Sequence, residues 1–200
     1  MRAVLAVAAG TMTLLCVVPY IRDIRRGTTV PQRTSWFVFA SLSALAAIAQ
    51  LSTGLLGGGL LALGAAVGFS SIFVLSIRSG VGGSTRADVA ALAFGCGGLV
   101  LWRTSHSPIV AVLAVVIAEW AAGALTVRKA MRSPATETMS TWVIDGSAGV
   151  AALLSAKRLD FNEVIYPIHH ILLNGAVVTA ITLGRRRRAL APTSDVTAGR

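Results

Sequence analysis

Charge is scarce in this chain. Asp, Glu, Lys and Arg make up 13% of its 200 residues, about half of the roughly 25% usual in soluble domains. Hydrophobic residues reach 54% and the mean hydropathy is +0.74. A water-soluble domain is excluded, because the apolar runs approach the length of about 20 residues that crosses a bilayer. Lysine is confined to Lys129 and Lys157, both in loops between apolar runs. No lysine can form a Schiff base in the last helix, which excludes a retinal photoreceptor. Cysteine is limited to Cys16 and Cys96, both inside apolar runs, a pattern unlike a disulfide framework or a cysteine metal site. No carboxylate–histidine cluster with ligand spacing and no nucleophile motif is present. The sequence therefore points to no enzyme, no cofactor and no resident metal.

What is present is a series of apolar segments at 3–21, 35–52, 55–77, 87–102, 107–127, 140–156 and 163–184. These predict an all-α integral membrane protein with seven transmembrane helices. The second and third are parted only by Ser52-Thr53-Gly54, the fourth is interrupted by Gly95, Gly97 and Gly98, and the sixth contains Asp145. The first run ends in Tyr20-Ile21-Arg22-Asp23 rather than at a small-residue cleavage site, so it reads as a retained helix and not as a signal peptide.

Basic residues set the expected orientation. Arg22, Arg25, Arg26, Arg33, Arg78, Arg86, Arg128, Lys129, Arg132, Arg185 to Arg188 and Arg200 share one side of this plan. Only Arg2, Arg103, Lys157 and Arg158 fall on the other. The positive-inside bias then puts the N-terminus outside and the C-terminus in the cytoplasm of a plasma membrane. The net charge of +10 is explained by loops that hold topology and meet anionic lipid, so no nucleic-acid partner is implied. A basic tail over 185–200 is expected to be disordered. Arginine in excess of lysine, with abundant Ala, Gly and Val, points to a bacterial source.

The stretch "VVPYIRDIRRGTTVPQRTSWFVF" has a second copy in "LTVRKAMRSPATETMSTWVID". Arg22 matches Arg128, Arg26 matches Arg132, Ser35 matches Thr141 and Trp36 matches Trp142. Both copies follow a helix crossing from outside to inside, which predicts two parallel three-helix repeats joined by a linker helix. The expected organisation is a first repeat over 1–77, a linker over 78–106, a second repeat over 107–184 and the tail. The first stretch resembles the pattern of the PQ-loop superfamily, best known for the SWEET sugar facilitators: a helix ending in Pro-Gln, a short basic loop and a Ser-initiated second helix. Pro19-Tyr20 stands at the family's Pro-Gln position. The resemblance implies a three-one-three helix plan and a carrier of small polar solutes. It departs from the family in its hinges: only Pro19 of the four expected prolines is evident, and its repeat partner is Leu125.

Polar residues within the apolar runs supply the candidate site. Glu119 sits near the middle of the fifth span, where a carboxylate costs roughly 2.5–3.5 kcal/mol; it reads as a proton-coupling or cavity residue, or as a hydrogen-bonded packing residue. Tyr166, His170 and Asn174 recur every four residues and share a face of the seventh helix. The resemblance makes Asn174 a candidate sugar ligand, with Gly68 where a symmetric asparagine would stand and Ser70 or Ser71 as substitute hydroxyls; equally, Asn174 could tie two helices together. His170 is expected to line an outer vestibule, and Trp120 to offer a stacking surface. His169 and His170 point about 100° apart, so they do not share an ion. Pro167 is a second candidate hinge. Asp145 is expected to pair with Arg128 or Arg132, and Trp36, Trp142 and Trp102 to anchor at the membrane interfaces. Gly54/Gly58 and Gly64/Gly68 allow close helix approach, within the bundle or in a homo-oligomer. The reading is a carrier of a sugar- or polyol-class solute; the alternative is a non-transporting structural or regulatory membrane protein that kept the fold.

Overall fold

The computed structural model describes residues 1–83, 85–105 and 107–190. Seven α-helices fill them: α1 (Arg2–Arg25), α2 (Arg33–Ser52), α3 (Leu56–Ser79), α4 (Arg86–Ser105), α5 (Pro108–Arg132), α6 (Met139–Ser155) and α7 (Phe161–Leu190). A short 3-10 turn, Pro134–Thr136, precedes α6. Four of the helices, α1, α2, α3 and α7, are long and apolar enough to cross a membrane by length and composition. The chain is thus an all-helical membrane protein.

Local chemistry sets the helix ends. α1 and α2 each close on a Schellman motif: Thr28 N–H donates to Asp23 O and Gly27 N–H to Ile24 O, as Leu55 N–H donates to Gln50 O and Gly54 N–H to Leu51 O. Gly27 and Gly54 hold φ of 71° and 77°, the left-handed conformation that this cap needs and that glycine adopts without a Cβ penalty. α4 starts on a capping box. Asp88 N–H donates to Thr85 Oγ1, and Thr85 N–H and Oγ1 donate back to Asp88 Oδ2 at 3.0 and 2.7 Å. Pro108 opens α5 at a position where its missing N–H costs nothing. α7 is capped by Asp160, whose Oδ1 accepts the Glu163 N–H at 3.1 Å.

Arg33 does more than add a positive charge to its loop. Its guanidinium donates to the carbonyls of Ser76, Ile77 and Gly80 and so closes the C-terminal end of α3. Beside it, Arg33 N–H donates to Val81 O and Val81 N–H to Pro31 O, an isolated parallel bridge that fixes Pro31-Gln32 against the end of the third helix.

The packing follows a definite order. α3 lies against both α1 and α2, and α7 against both α5 and α6. The two groups meet through α1 against α6 and α2 against α5, while α4 sits at the periphery on α5 with a smaller contact to α2. Small residues let these helices approach. A side chain at Gly64 would strike the Gly10 carbonyl of α1, and one at Gly68 would meet Val17. Gly54, by contrast, serves its turn and does not pair with Gly58; Gly58 instead makes room for the amide of Gln50.

Several expectations need correcting. α7 runs through Arg185–Arg188 to Leu190, so the basic run is helical and not part of a free tail; residues 191–200 lie outside the described ones. Trp36 and Trp142 are not interface anchors, since they are 1% and 3% exposed and stack on each other with ring centroids 5.5 Å apart. The Trp102 side chain and Gly95 and Gly98 lie outside what is described.

Candidate functional site

α7 passes between α5 and α6, and its polar face meets both. His169 and His170 are neighbours in sequence but point in different directions around the helix, and each reaches a different carboxylate. His169 Nε2 lies 2.7 Å from Glu119 Oε2 on α5. His170 Nε2 lies 2.9 Å from Asp145 Oδ2 on α6. All four side chains are at least 96% buried.

Each pair carries further partners. Ser43 Oγ on α2 donates to Glu119 Oε1 at 3.2 Å, and Tyr166 OH donates to Ser43 Oγ at 3.4 Å. On the other side Asn174 Nδ2 donates to Asp145 Oδ2 and to its own helix at His170 O, both at 2.9 Å. Cys16 of α1 borders Asp145, while its thiol donates to Thr13 O. Residues from α1, α2, α5, α6 and α7 thus converge on two adjacent acid–imidazole pairs. Buried atoms of this network without a hydrogen-bond partner include Asn174 Oδ1, Asp145 Oδ1 and His169 Nδ1.

A second cluster closes the ends of the helices that carry the basic loops. Glu137, 4% exposed, accepts from Tyr20 OH and Trp142 Nε1, each at 3.2 Å, and pairs with Lys129. Trp36 Nε1 donates to Tyr20 OH at 3.4 Å. The two loops themselves interlock. Val30 N–H donates to Thr136 O, Lys129 Nζ donates to the carbonyls of Val30 and Thr136, and Thr138 Oγ1 donates to Asp23 Oδ2 at 2.9 Å.

Of the residues singled out from sequence, Glu119, Tyr166, His170 and Asn174 meet in one buried network. Trp120 does not enter it. Its side chain is 38% exposed on the outside of α5, and its ring meets the edge of His169. His170 is 3% exposed and lines no vestibule, because α6 covers it with Asp145. Asp145 takes His170 and Asn174 as partners in place of Arg128 or Arg132, which lie near the helix end. Ser70 and Ser71 are turned back onto their own helix, donating to Ala66 O and Gly68 O. Pro19 and Pro167 sit inside α1 and α7, which continue through them. No group of three or more potential metal ligands occurs among the described residues.

Sequence reasoning missed Ser43, the pairing of His169, and Glu137. A usable signal existed: two histidines and two acids lay in separate apolar runs, and a buried charge of one sign calls for its counterpart.

Compared with known proteins, the chain matches no family model, no curated protein and no solved structure.

Proposed function

We propose that this chain is a multi-pass carrier in the plasma membrane that moves a small polar solute, of the sugar or polyol class, by alternating access. In this reading all seven helices span the bilayer in a PQ-loop-like plan, with α1–α3 and α5–α7 as parallel repeats, α4 as linker, the N-terminus outside and the C-terminus cytoplasmic. The packing supports it: α3 stands to α1 and α2 as α7 stands to α5 and α6, and the α1–α6 contact is matched by α2–α5. The stacked pair Trp36 and Trp142 joins the positions that correspond in the two sequence copies.

The single observation that carries the function is the pair of acid–imidazole contacts, Glu119–His169 and Asp145–His170, buried within α5–α7 with Ser43 of α2 and Cys16 of α1 beside them. Ionisable residues in an apolar bundle are costly and mark routes for solutes or protons. Asn174 Oδ1 and His169 Nδ1, both buried and open, offer a solute two hydrogen-bonding positions, at least one of them an acceptor for a hydroxyl. Glu119 and His169 form the proton-bearing element beside it. The loop knot around Glu137 is then the inner gate, which separates when the site turns to the cytoplasm.

A non-transporting structural role is the second reading, and one observation favours it. The cavities seen at the ends of the bundle are lined by none of Glu119, Asp145 and Asn174. Counterflow uptake into proteoliposomes, with labelled sugars and polyols, decides between the two. The carrier shows saturable uptake that Asn174→Ala abolishes and Glu119→Gln makes insensitive to pH. Folded protein that moves no member of the panel above the empty-liposome rate selects the structural role.

A further inference from the structure

Where α4 begins beside the last turns of α5, the helices leave a cavity of about 620 Å³. Its lining includes Arg86 from α4, Arg128, Lys129 and Arg132 from α5, and Gln32 and Asp88. The oxygens of the one unpaired carboxylate in this wall are already hydrogen-bonded. Asp88 Oδ1 accepts from Gln32 Nε2 at 3.0 Å, and its Oδ2 accepts from Thr85. Lys129 is held by Glu137. Arg86, Arg128 and Arg132 form no ion pair among the described residues, so three guanidinium groups border a cavity whose one unpaired carboxylate is Asp88, and positive charge is left over for an anion.

Two further observations narrow what fills it. Gln32 Oε1 is buried and has no partner, an acceptor waiting for a hydroxyl beside the cations. The lining also includes Ala87 and Leu125, and Val89, one residue beyond Asp88 on α4, is 60% exposed, so an acyl chain has apolar side chains to lie against. Basic pockets between membrane helices at the cytoplasmic border take lipid phosphates, and guanidinium matches phosphate geometry in bidentate fashion.

We propose that this cavity binds the phosphate of an anionic lipid whose headgroup also carries a hydroxyl, with Arg86, Arg128 and Arg132 on the phosphate oxygens and Gln32 Oε1 accepting from the hydroxyl. The site rests on the reading of α4 and α5 as membrane helices and is independent of whether the chain transports.

The test uses the full chain in detergent micelles, with lipid retention followed by native mass spectrometry during titration with phosphatidylglycerol, phosphatidylcholine or inorganic phosphate. The wild type is expected to retain phosphatidylglycerol at a concentration at least about tenfold lower than Arg128→Gln/Arg132→Gln, since each basic contact near the surface contributes about a fivefold factor. Phosphatidylcholine should show no such difference, and Arg185→Gln/Arg186→Gln should behave as wild type. Arg86→Gln, on an exposed first turn, should weaken retention about fivefold and serves where the double variant does not fold. Equal retention by wild type and cavity variants overturns the proposal, as does equal weakening by the Arg185/Arg186 pair. Full competition by inorganic phosphate at matched concentration also overturns it, assigning the cavity to a soluble phosphate. Transport measured in liposomes lacking anionic lipid separates this outcome from that of the carrier reading.

Discussion

Glu119 and His169 illustrate what a buried acid–base contact demands. Each is nearly free of solvent, so either one left alone would hold a charge or an open polar atom in an apolar bundle. Removing one member of such a pair costs about 3–5 kcal/mol, while replacing both can be nearly neutral. Glu119→Ala is therefore expected to lower stability by about 3 kcal/mol, Glu119→Gln by less, and Glu119→Ala/His169→Ala by no more than the single change. Unfolding in mixed micelles by added sodium dodecyl sulfate measures all three; strictly additive losses would show that the two side chains act independently. The same logic explains how much of the site could be read in advance. Glu119, Tyr166, His170 and Asn174 stood out because polar residues in apolar runs are visible one at a time. Their partners were not, because which helix faces which is absent from any single run. Asp145 was assigned to arginines near in sequence position, whereas α6 presents it to α7. Trp120 shares a helix with Glu119 but lies one residue, and thus about 100°, around it, which is enough to turn it out of the bundle.

Helices were more legible than their partners. Apolar length located all seven elements, and the Ser52-Thr53-Gly54 turn holds as expected, whereas the fourth helix runs unbroken from Arg86 to Ser105 through its glycines. The ends differed in a consistent way: α1 continues to Arg25 and α7 to Leu190. Hydropathy fades at the first arginine, but arginine is a good helix former, so the backbone hydrogen bonds run on until a cap or a glycine stops them. Helix-to-helix contact also separates two kinds of glycine that look alike in sequence. Gly64 faces the backbone of α1 at Gly10, whereas Gly175 on α7 has open space beside it. Gly64→Ala must push α1 away from α3 and is expected to destabilise by about 1–3 kcal/mol. Gly175→Ala adds no clash and removes backbone freedom from the unfolded chain, for a gain of about 0.5–1 kcal/mol. Thermal unfolding of the two variants beside wild type in one detergent gives the comparison; no loss at Gly64 would contradict the packing of α1 on α3, and a loss at Gly175 would contradict the open space beside α7.

At the scale of the whole molecule, the charges and the interlocked loops lie at the same end of the bundle. The segment after α1 and the segment after α5 bond to each other through Val30 and Thr136, Lys129 and Val30, and Thr138 and Asp23, which requires them to be on one side of the membrane. Even numbers of crossings must then separate them, and the proposed plan supplies four: α2, α3, α4 and α5. A plan in which only the four most apolar helices cross would let α2 and α3 return the chain to that side and leave α4 and α5 out of the bilayer. Labelling distinguishes these. With Cys16 and Cys96, the free cysteines, replaced by serine and alanine, single cysteines are placed at Arg26, Ser133 and Lys157 in intact cells. The proposed plan predicts that an impermeant maleimide reaches Lys157→Cys at once and reaches Arg26→Cys and Ser133→Cys only after permeabilisation. Labelling of Lys157→Cys and Ser133→Cys alike only after permeabilisation would mean that α6 does not cross, and the parallel repeat, the inner gate at Glu137 and the solute route past Asn174 would all have to be abandoned together.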